Sequence, residues 1–370
     1  MEPFIPDALP IKSIDWEGLI PAIGRANRAI AHYEGILHGV PSPSVLLSPL
    51  TTQEAVLSSS IEGTVATLGD VLGFEAGEEP EQESRRIDIR EIQNYRRALR
   101  EAEHELLSRP FNLNLLKRLH HILLDSVRGR DKRRGEFRMD QNFIGRPGST
   151  IDDAFFIPPS PIGLFDHLSD WEQYYHATRP DALVQLAVVH AQFEIIHPFM
   201  DGNGRLGRII IPLFLYEKQL LHQPMFYMSG WLEQHREEYV TRLRAIGRTK
   251  EAWTEWVNFF LTGVAEQAKD NSAKAKAIMA LYEDLKQRAL DVTHSQYAVP
   301  MLDQMFERPI FRSSYFEFKG TQPTSATVSN LLRQMREAEI IKVRMEGSGR
   351  RATVYALASL INLCEGKKVM

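Results

Sequence analysis

The stretch that decides the fold of this chain runs from His197 to Arg208 and reads His-Pro-Phe-Met-Asp-Gly-Asn-Gly-Arg-Leu-Gly-Arg. The backbone of Gly202, Asn203 and Gly204 can turn successive N–H groups towards one point, which forms an anion-binding nest. A helix that begins near Gly204 would direct the positive end of its dipole to the same point. The backbone of this stretch therefore predicts a phosphate site.

The side chains of the stretch point to the same chemistry. Arg205 and Arg208 lie three residues apart, so one helix face presents two guanidinium groups that can bind phosphate oxygens. Asp201 offers a hard oxygen ligand beside the nest, as Mg²⁺ requires, and His197 can accept a proton from a nucleophile. Each feature alone is most often structural. Twelve consecutive residues that hold all of them favour one functional site.

This stretch resembles the signature of Fic-domain proteins, His-x-Phe-x-(Asp/Glu)-Gly-Asn-Gly-Arg-x-x-Arg, and matches it at every fixed position. The residues before it (190–197) and after it (239–243 and 256–260) are similar to the family as well. The resemblance extends from about residue 50 to about residue 264. It implies a mainly α-helical Fic fold, in which a helical core carries one β-hairpin flap that includes residues 155–159. Short β-type runs over residues 142–145 and 154–157, separated by a stretch that begins Arg-Pro-Gly-Ser-Thr, also predict a hairpin here.

The resemblance also implies an activity, which is transfer of AMP from ATP to a Ser, Thr or Tyr hydroxyl of a target protein or of the chain itself, with release of pyrophosphate. His197 would be the general base, and Asp201 would bind Mg²⁺. Phe199 would anchor the loop in the core. The ATP phosphates would lie against Gly202, Asn203, Gly204, Arg205, Leu206, Gly207 and Arg208, of which Arg208 would reach the γ-phosphate.

Two further groups of residues are implied by the resemblance. The flap residues Phe155, Phe156 and Ile157 would hold the target segment by strand pairing. Tyr239 and Val240 are candidates for the adenine pocket, although a buried core tyrosine is the better interpretation of Tyr239 from the residues alone.

A second motif lies upstream, where Ser58-Ser-Ser-Ile-Glu62-Gly63 resembles the inhibitory motif (Ser/Thr)-x-x-x-Glu-(Gly/Asn) of many Fic proteins. A glutamate at a helix end can pair with Arg208 and remove the partner of the γ-phosphate. We therefore expect Glu62 to restrain the activity, with an ordinary exposed carboxylate as the alternative. The same carboxylate could instead orient a water for removal of AMP from modified targets, so a de-AMPylase stays open.

The helix that carries this motif is predicted over about 51–63. Thr51 and Glu54 have the spacing of a capping box, in which each side chain satisfies a free backbone donor of the helix start. Gly63 is well placed to end the helix in a left-handed turn.

Composition bounds the protein class. The 370 residues are 43% hydrophobic and carry a net charge of −4, which is ordinary for a globular chain, and the single cysteine, Cys364, excludes an internal disulfide framework. We expect a cytoplasmic protein without a membrane segment. The predicted parts are an N-terminal helical cap (1–110), a Fic catalytic core (111–265), a linker helix (266–294) and a winged-helix-like domain (295–370).

The C-terminal part differs from the rest in charge and pattern. Residues 271–370 carry 15 Lys+Arg against 10 Asp+Glu, which gives +5 and leaves −9 for the remainder. Short helices predicted over 298–306 and 312–318 precede a helix that opens at Thr324 and a Gly-turned hairpin, which is the order of a winged helix-turn-helix. A nucleotide-sensing regulator that binds DNA is the alternative function. Its phosphate contacts would come from three wing residues, Arg344, Arg350 and Arg351.

Three other interpretations have less support in the sequence. Transfer of UMP or phosphocholine has no feature in its favour, because Arg205 and Arg208 suit an ordinary triphosphate. His120 and His121 lack a third ligand at useful spacing, so core or surface histidines are favoured over a metal site. Self-association is plausible, but no sequence feature demonstrates it.

Overall fold

The chain is built mainly from α-helices, and the computed structural model describes residues 2–146, 148, 150–348 and 352–370. The helices are α1 (Trp16–Gly39), α2 (Pro43–Leu46), α3 (Ser48–Ile61), α4 (Leu68–Glu75), α5 (Glu83–Leu106), α6 (Leu113–Leu123), α7 (Leu164–His176), α8 (Ala182–Ile196), α9 (Asn203–Glu217), α10 (Ser229–Gln234), α11 (Arg236–Ala245), α12 (Ala252–Thr293), α13 (Ala298–Glu307), α14 (Ser325–Glu337) and α15 (Ala358–Glu365). Among these described helices, none is both long and apolar enough to cross a bilayer.

One small antiparallel sheet lies near the C-terminus. Its strands are β1 (Ile310–Arg312), β2 (Lys342–Met345) and β3 (Val354–Ala356), in the order β1-β3-β2. Ala356 pairs with Ile310 on one side and with Lys342 on the other. The register of β2 against β3 shifts between Val343 and Met345. The mainly helical fold class is confirmed.

The chain divides into two compact units. The first contains the residues up to Glu34, Leu57–Thr64 and Arg90–Lys269, and the second contains Gly35–Val56, Val65–Ile89 and Asp270–Met370. The predicted domain boundaries at 110, 265 and 294 stay a prediction, because the compact units are defined by contacts and not by independent folding. The predicted linker (266–294) covers the C-terminal part of α12, a single helix of 42 residues that ends at Thr293.

The core of the first unit forms around α8. Asp181 caps this helix by accepting a hydrogen bond from the Val184 N–H at 2.9 Å, which satisfies one of the free donors of the first turn. Every residue of α8 except Ala182 and Glu194 is buried. A helix that is apolar on all sides must lie inside its domain. Accordingly, α8 packs between α7 and α9.

The second unit contains the C-terminal helices and the sheet. The helix predicted over 312–318 is wrong, because the end of β1 and a single 3-10 turn (Ser313–Tyr315) occupy these residues. Of the predicted wing residues, Arg344 is paired with Glu78 at 2.8 Å, and Arg350 and Arg351 lie outside the described residues. The winged helix-turn-helix and its binding to DNA stay predictions.

The motif from Ser58 to Gly63, which is predicted to be inhibitory, lies at the end of α3 as expected, but the helix starts at a different residue. It begins at Ser48, so Thr51 and Glu54 lie inside it and the predicted capping box at these residues is wrong. A true capping box opens α4, where Thr67 and Asp70 each accept a backbone N–H of the other. The end of α3 is as predicted, since Gly63 follows it with φ +95°.

Candidate active site

A short loop joins α8 to α9 and turns the backbone at both of its ends. His197, the last cap of α8, has φ +49°, and Gly202, the first cap of α9, has φ +77°. Both values lie in the left-handed region that side chains with a Cβ rarely adopt. The N-terminus of α9 therefore opens directly beneath the loop, which is the arrangement that binds anions.

The loop is held rigid from inside. Phe199 is fully buried and stacks on His120, with ring centroids 3.9 Å apart. Asn203 forms two hydrogen bonds to the backbone of Phe199, since its Oδ1 accepts the N–H at 2.9 Å and its Nδ2 donates to the C=O at 2.8 Å. Among the predicted residues, Phe199 and Asn203 thus shape the loop itself.

Three further residues brace the loop, and sequence reasoning missed their role. Arg138, which is buried, donates to the carbonyl oxygens of His197 (3.0 Å) and Pro159. Asn142 donates to the carbonyl of Phe199 at 2.9 Å. His120 accepts the Gly135 N–H at its Nδ1, so its Nε2–H donates to the Asp201 carbonyl at 3.0 Å. His120 is thus a core histidine, as expected.

His197 is prepared to accept a proton. Its Nδ1 lies 3.2 Å from the carbonyl of Glu194, and because a carbonyl can only accept, Nδ1 carries the hydrogen. The lone pair is then on Nε2. Burial, reinforced by the charge of Arg138, lowers the pKa of His197 to about 4. The imidazole is therefore neutral, and basic at Nε2, throughout the physiological range.

The predicted pair of Glu62 and Arg208 is present. Glu62 Oε1 lies 2.6 Å from Nη2 of Arg208, whose side chain is only 2% exposed. Ser58 adds two contacts, since its Oγ accepts from Nε at 2.8 Å and its carbonyl from Nη2 at 2.9 Å. The Glu62 side chain is itself 41% exposed. Its partial desolvation would raise the pKa of Glu62, but the charge and hydrogen bond of Arg208 outweigh it and lower the pKa below its usual range. Glu62 is ionised in this contact.

Gly204 allows this contact to form. It lies in the first turn of α9, and a Cβ built on it would overlap the carboxylate of Glu62. The glycine therefore serves close approach here. Its neighbour Leu206 is fully buried, and the carbonyl of Gly207 contacts Nδ1 of His190.

The second arginine of the predicted phosphate site, Arg205, also lies near carboxylates. It is 5% exposed, with Nη1 3.7 Å from Glu91 and Nη2 3.8 Å from Asp201. Glu91 accepts two hydrogen bonds from Arg128, at 2.8 and 2.9 Å, and one from Thr64 at 3.1 Å. This glutamate was missed, because one carboxylate in a helical pattern is indistinguishable from a surface residue by sequence alone.

A cavity of about 700 Å³ gathers these groups. Glu62, His197, Arg205 and Arg208 line it, together with the flap and the adenine candidates Tyr239 and Val240. Tyr239 is buried and its hydroxyl lies 2.9 Å from Nε2 of His190. The two interpretations of Tyr239 are thus compatible, since it is a core residue whose surface also faces the cavity.

The flap is shorter than the predicted hairpin. In the described part of residues 142–157, Ile144 and Phe156 form one antiparallel bridge and no longer strand. Phe155 contacts a guanidinium, with Arg244 4.6 Å from its ring centroid. Ile157 is buried, whereas Phe156 is half-buried and faces the cavity. Pro147 and Ser149, at the tip of the predicted hairpin, lie outside the described residues.

Glu194 is an unexpected carboxyl in this cavity. Its Oε1 has no hydrogen-bond partner among the residues that the structure describes. Burial raises the pKa of Glu194 to about 7, although Arg208 opposes the shift. The carboxyl group is thus largely protonated below neutral pH.

This shift predicts a pH-dependent stability. A carboxyl whose pKa is raised by folding stabilises the native state below its unfolded pKa and loses that contribution as the pH rises through the folded value, here about 7. Relative to Glu194→Gln, the unfolding free energy of the wild type should fall by about 2 kcal/mol between pH 5 and pH 8. Urea titrations across this range measure the difference. If the unfolding free energies of the wild type and of Glu194→Gln changed in parallel with pH, the raised pKa of Glu194 would be contradicted. The control is Glu251→Gln, which changes an exposed carboxylate in a turn.

Comparison with known protein families matches two adjoining parts of the chain. Residues 20–104 match the model described as Fic/DOC family N-terminal, and residues 110–215 match the model described as Fic/DOC family. The chain belongs to the Fic/DOC family. The second match contains the loop, His197 and both arginines of the predicted phosphate site, and the first contains the motif from Ser58 to Gly63.

Relatives and solved structures of the family agree with this assignment. A protein of Aquifex aeolicus named "Probable protein adenylyltransferase" is 34% identical over 97 residues, which are 25% of this chain and 27% of that protein. A protein adenylyltransferase of Caenorhabditis briggsae is 27% identical over 117 residues, 28% of this chain and 21% of the relative. The chain thus aligns with about a quarter of the length of these relatives.

Among solved structures, a Fic family protein of Desulfovibrio desulfuricans G20 has a TM-score of 0.57 at 19% identity. It covers 91% of this chain and 95% of its own length. At this level of identity the likeness shows a shared fold.

Proposed function

We propose that this member of the Fic/DOC family is a protein adenylyltransferase that transfers AMP from ATP to a Ser, Thr or Tyr hydroxyl. The observation that carries the proposal is the position of neutral His197, with its lone pair on Nε2, in one cavity with the nest and with Arg205 and Arg208. Two relatives that bear the name protein adenylyltransferase support the same activity.

In the proposed reaction, the target hydroxyl oxygen attacks the α-phosphorus of ATP and its proton passes to Nε2 of His197. The bond between the α-phosphorus and the oxygen that bridges to the β-phosphate breaks, and pyrophosphate leaves. The nest and Arg205 would stabilise the charge that develops on the phosphates, and Arg208 would hold the γ-phosphate. Most of the catalysis then consists of positioning and electrostatic stabilisation.

Asp201 would hold Mg²⁺ in this scheme. Its carboxylate is 42% exposed and lines the cavity, with Oδ1 fixed by the Gly202 N–H at 2.6 Å. A single carboxylate beside a phosphate nest fits Mg²⁺, which usually binds proteins through one or two carboxylates and completes its shell with phosphates and water. The bound ion would neutralise phosphate charge.

We further propose that Glu62 restrains this activity. Its carboxylate occupies the guanidinium edge of Arg208 that a γ-phosphate would need, and the buried arginine has little room to serve both. ATP bound beside Glu62 would lack its γ-phosphate partner and lie in an unproductive pose. The approach of Glu62 over Gly204 places further negative charge at the nest itself.

Mass spectrometry tests the transferred group directly. Glu62→Gly protein incubated with ATP and Mg²⁺ should gain the mass of one or more AMP groups, and peptide sequencing should locate them on Ser, Thr or Tyr. Incubation with the other nucleoside triphosphates compares the bases. Absence of any nucleotide adduct on the protein or on proteins of a cell extract would overturn the proposal.

Removal of AMP is a second candidate activity, favoured by the ionised state of Glu62 in the cavity. A carboxylate there can accept a proton from water that attacks a phosphodiester. Protein that carries AMP would then lose it in the presence of the wild type and keep it with Glu62→Gly. AMP transfer alone predicts no release with either variant.

A further inference from the structure

The outer edge of the flap is occupied by the N-terminal segment of the chain. The backbone N–H of Phe4 donates to the carbonyl of Ile157 at 2.9 Å. The neighbouring Phe156 uses its own backbone groups to pair with Ile144. Because backbone groups alternate in direction along an extended strand, the Ile157 carbonyl faces the opposite edge. Phe4 thus makes its backbone contact at the edge of the flap that a further strand would use.

The side chain of Phe4 fits a built recess. Its ring lies 5.5 Å from that of Phe156, and a Cβ on Gly247 would overlap it. Asp7 fixes the other end of the segment, since its carbonyl accepts from Gln192 at 2.9 Å and its carboxylate from Trp253 at 2.7 Å. The segment therefore has two anchors, with exposed Ile5 between them.

The sequence of the segment would allow a target segment to displace it from the flap edge. It reads Glu2-Pro-Phe-Ile-Pro-Asp7, and the two prolines, which flank Phe4 and Ile5, have no N–H with which to extend the pairing. The segment also contains no Ser, Thr or Tyr. It can occupy the docking edge, but it offers no hydroxyl to accept AMP.

The surroundings of the flap are basic. Arg146, Arg236 and Arg244 line the cavity beside it. A target segment that carries acidic residues would be attracted to this surface.

We propose that residues 2–7 are an internal pseudosubstrate on the flap edge. The target segment that they hold off is extended, places an aromatic side chain at the position of Phe4 and carries acidic neighbours together with the hydroxyl to be modified. The inference rests on the proposed function for the meaning of this edge, but the docking itself can be measured without any AMP transfer.

The test uses a fluorescein-labelled peptide of residues 2–9 and full-length protein, without ATP, and follows fluorescence anisotropy. Phe4→Ala should bind the peptide about tenfold more tightly than the wild type, because truncation of the ring vacates the recess and weakens the hold of the segment on the flap edge, where the peptide can then compete for the Ile157 carbonyl. Asp7→Ala should show a smaller gain in the same direction. Ile5→Ala is the matched control and should bind as the wild type does.

A peptide in which its own phenylalanine is replaced by alanine should lose the gain. The inference would be overturned if all variants bound the peptide with equal affinity. It would also be overturned if Phe4→Ala and Asp7→Ala did not bind the peptide at all, provided that their thermal melts match that of the wild type. If the protein binds the peptide but never transfers AMP, the inference that the flap edge is a docking site is kept and the proposed function is refuted.

Discussion

Replacement of Glu62 by glycine is expected to raise the rate of AMP incorporation about 10- to 100-fold. The substitution frees one edge of a buried guanidinium, and a hydrogen bond to a charged group contributes about 1.5–3 kcal/mol. The position tolerates glycine, since it follows the last residue of α3 in a turn. Labelled ATP and quantification of protein-bound AMP measure the change.

The matched control is Glu251→Gly, which removes an exposed carboxylate from another turn. It should label at the wild-type rate, because it lies outside the cavity lining. Equal labelling of the wild type and of Glu62→Gly, with both proteins folded, would refute the restraint and leave the pair with Arg208 as a structural contact.

Replacement of His197 by alanine in the Glu62→Gly background is expected to lower AMP transfer by 10²- to 10⁴-fold, the range typical of a lost general base. His104→Ala, an exposed histidine of the same unit, is the control. Retention of full activity by His197→Ala would exclude the proposed base. The nest and both arginines remain in that variant, so ATP binding should persist.

The pH dependence adds a second readout of His197. Because its pKa is lowered to about 4, the imidazole stays neutral between pH 5.5 and pH 8. Glu62 raises this pKa, so its removal lowers the value further. The transfer rate of Glu62→Gly should therefore show no loss of the base on acidification to pH 5.5. A fall of activity centred near pH 6.5 would contradict this burial effect.

Local sequence was sufficient for the parts of the site that are contiguous. The loop from His197 to Arg208 has its groups in consecutive positions, and the motif from Ser58 to Gly63 has a fixed spacing. The structure brings Glu62 to Arg208 across 146 residues, as the resemblance implied. Such pairs can be predicted because each partner lies in a motif of its own.

Residues that brace the site from distant elements could not be predicted. Arg138 and Glu91 act through buried contacts that depend on how loops and helices pack, and neither belongs to a recognisable spacing. The error at Thr51 has a similar cause. Local capping chemistry suggested a helix start there, but the preceding Ser48-Pro49 supplied an earlier one, with proline near the first turn where its missing N–H costs nothing.

The flap was predicted too regular because its sequence has a β-type composition on both sides of a Gly- and Pro-containing turn. Only one bridge forms between Ile144 and Phe156 in the described residues. Its outer edge instead pairs with Phe4, more than 150 residues away in sequence. An apolar pattern predicts that a segment forms backbone pairing, but the identity of its partner depends on the tertiary packing.

The two contacts that Ser58 makes with Arg208 bear on how fast the proposed restraint by Glu62 could be released. They hold Nε and Nη2 of the arginine through a hydroxyl and a backbone carbonyl, neither of which depends on Glu62. If the carboxylate rotated away, these two contacts would still hold the guanidinium, which would need no reorganisation before it bound a phosphate. Side-chain rotation takes picoseconds to nanoseconds, far less than a catalytic turnover. If Glu62 restrains the activity as proposed, the restrained and active states would differ by the rotation of one side chain, and the change would require no local unfolding of α3.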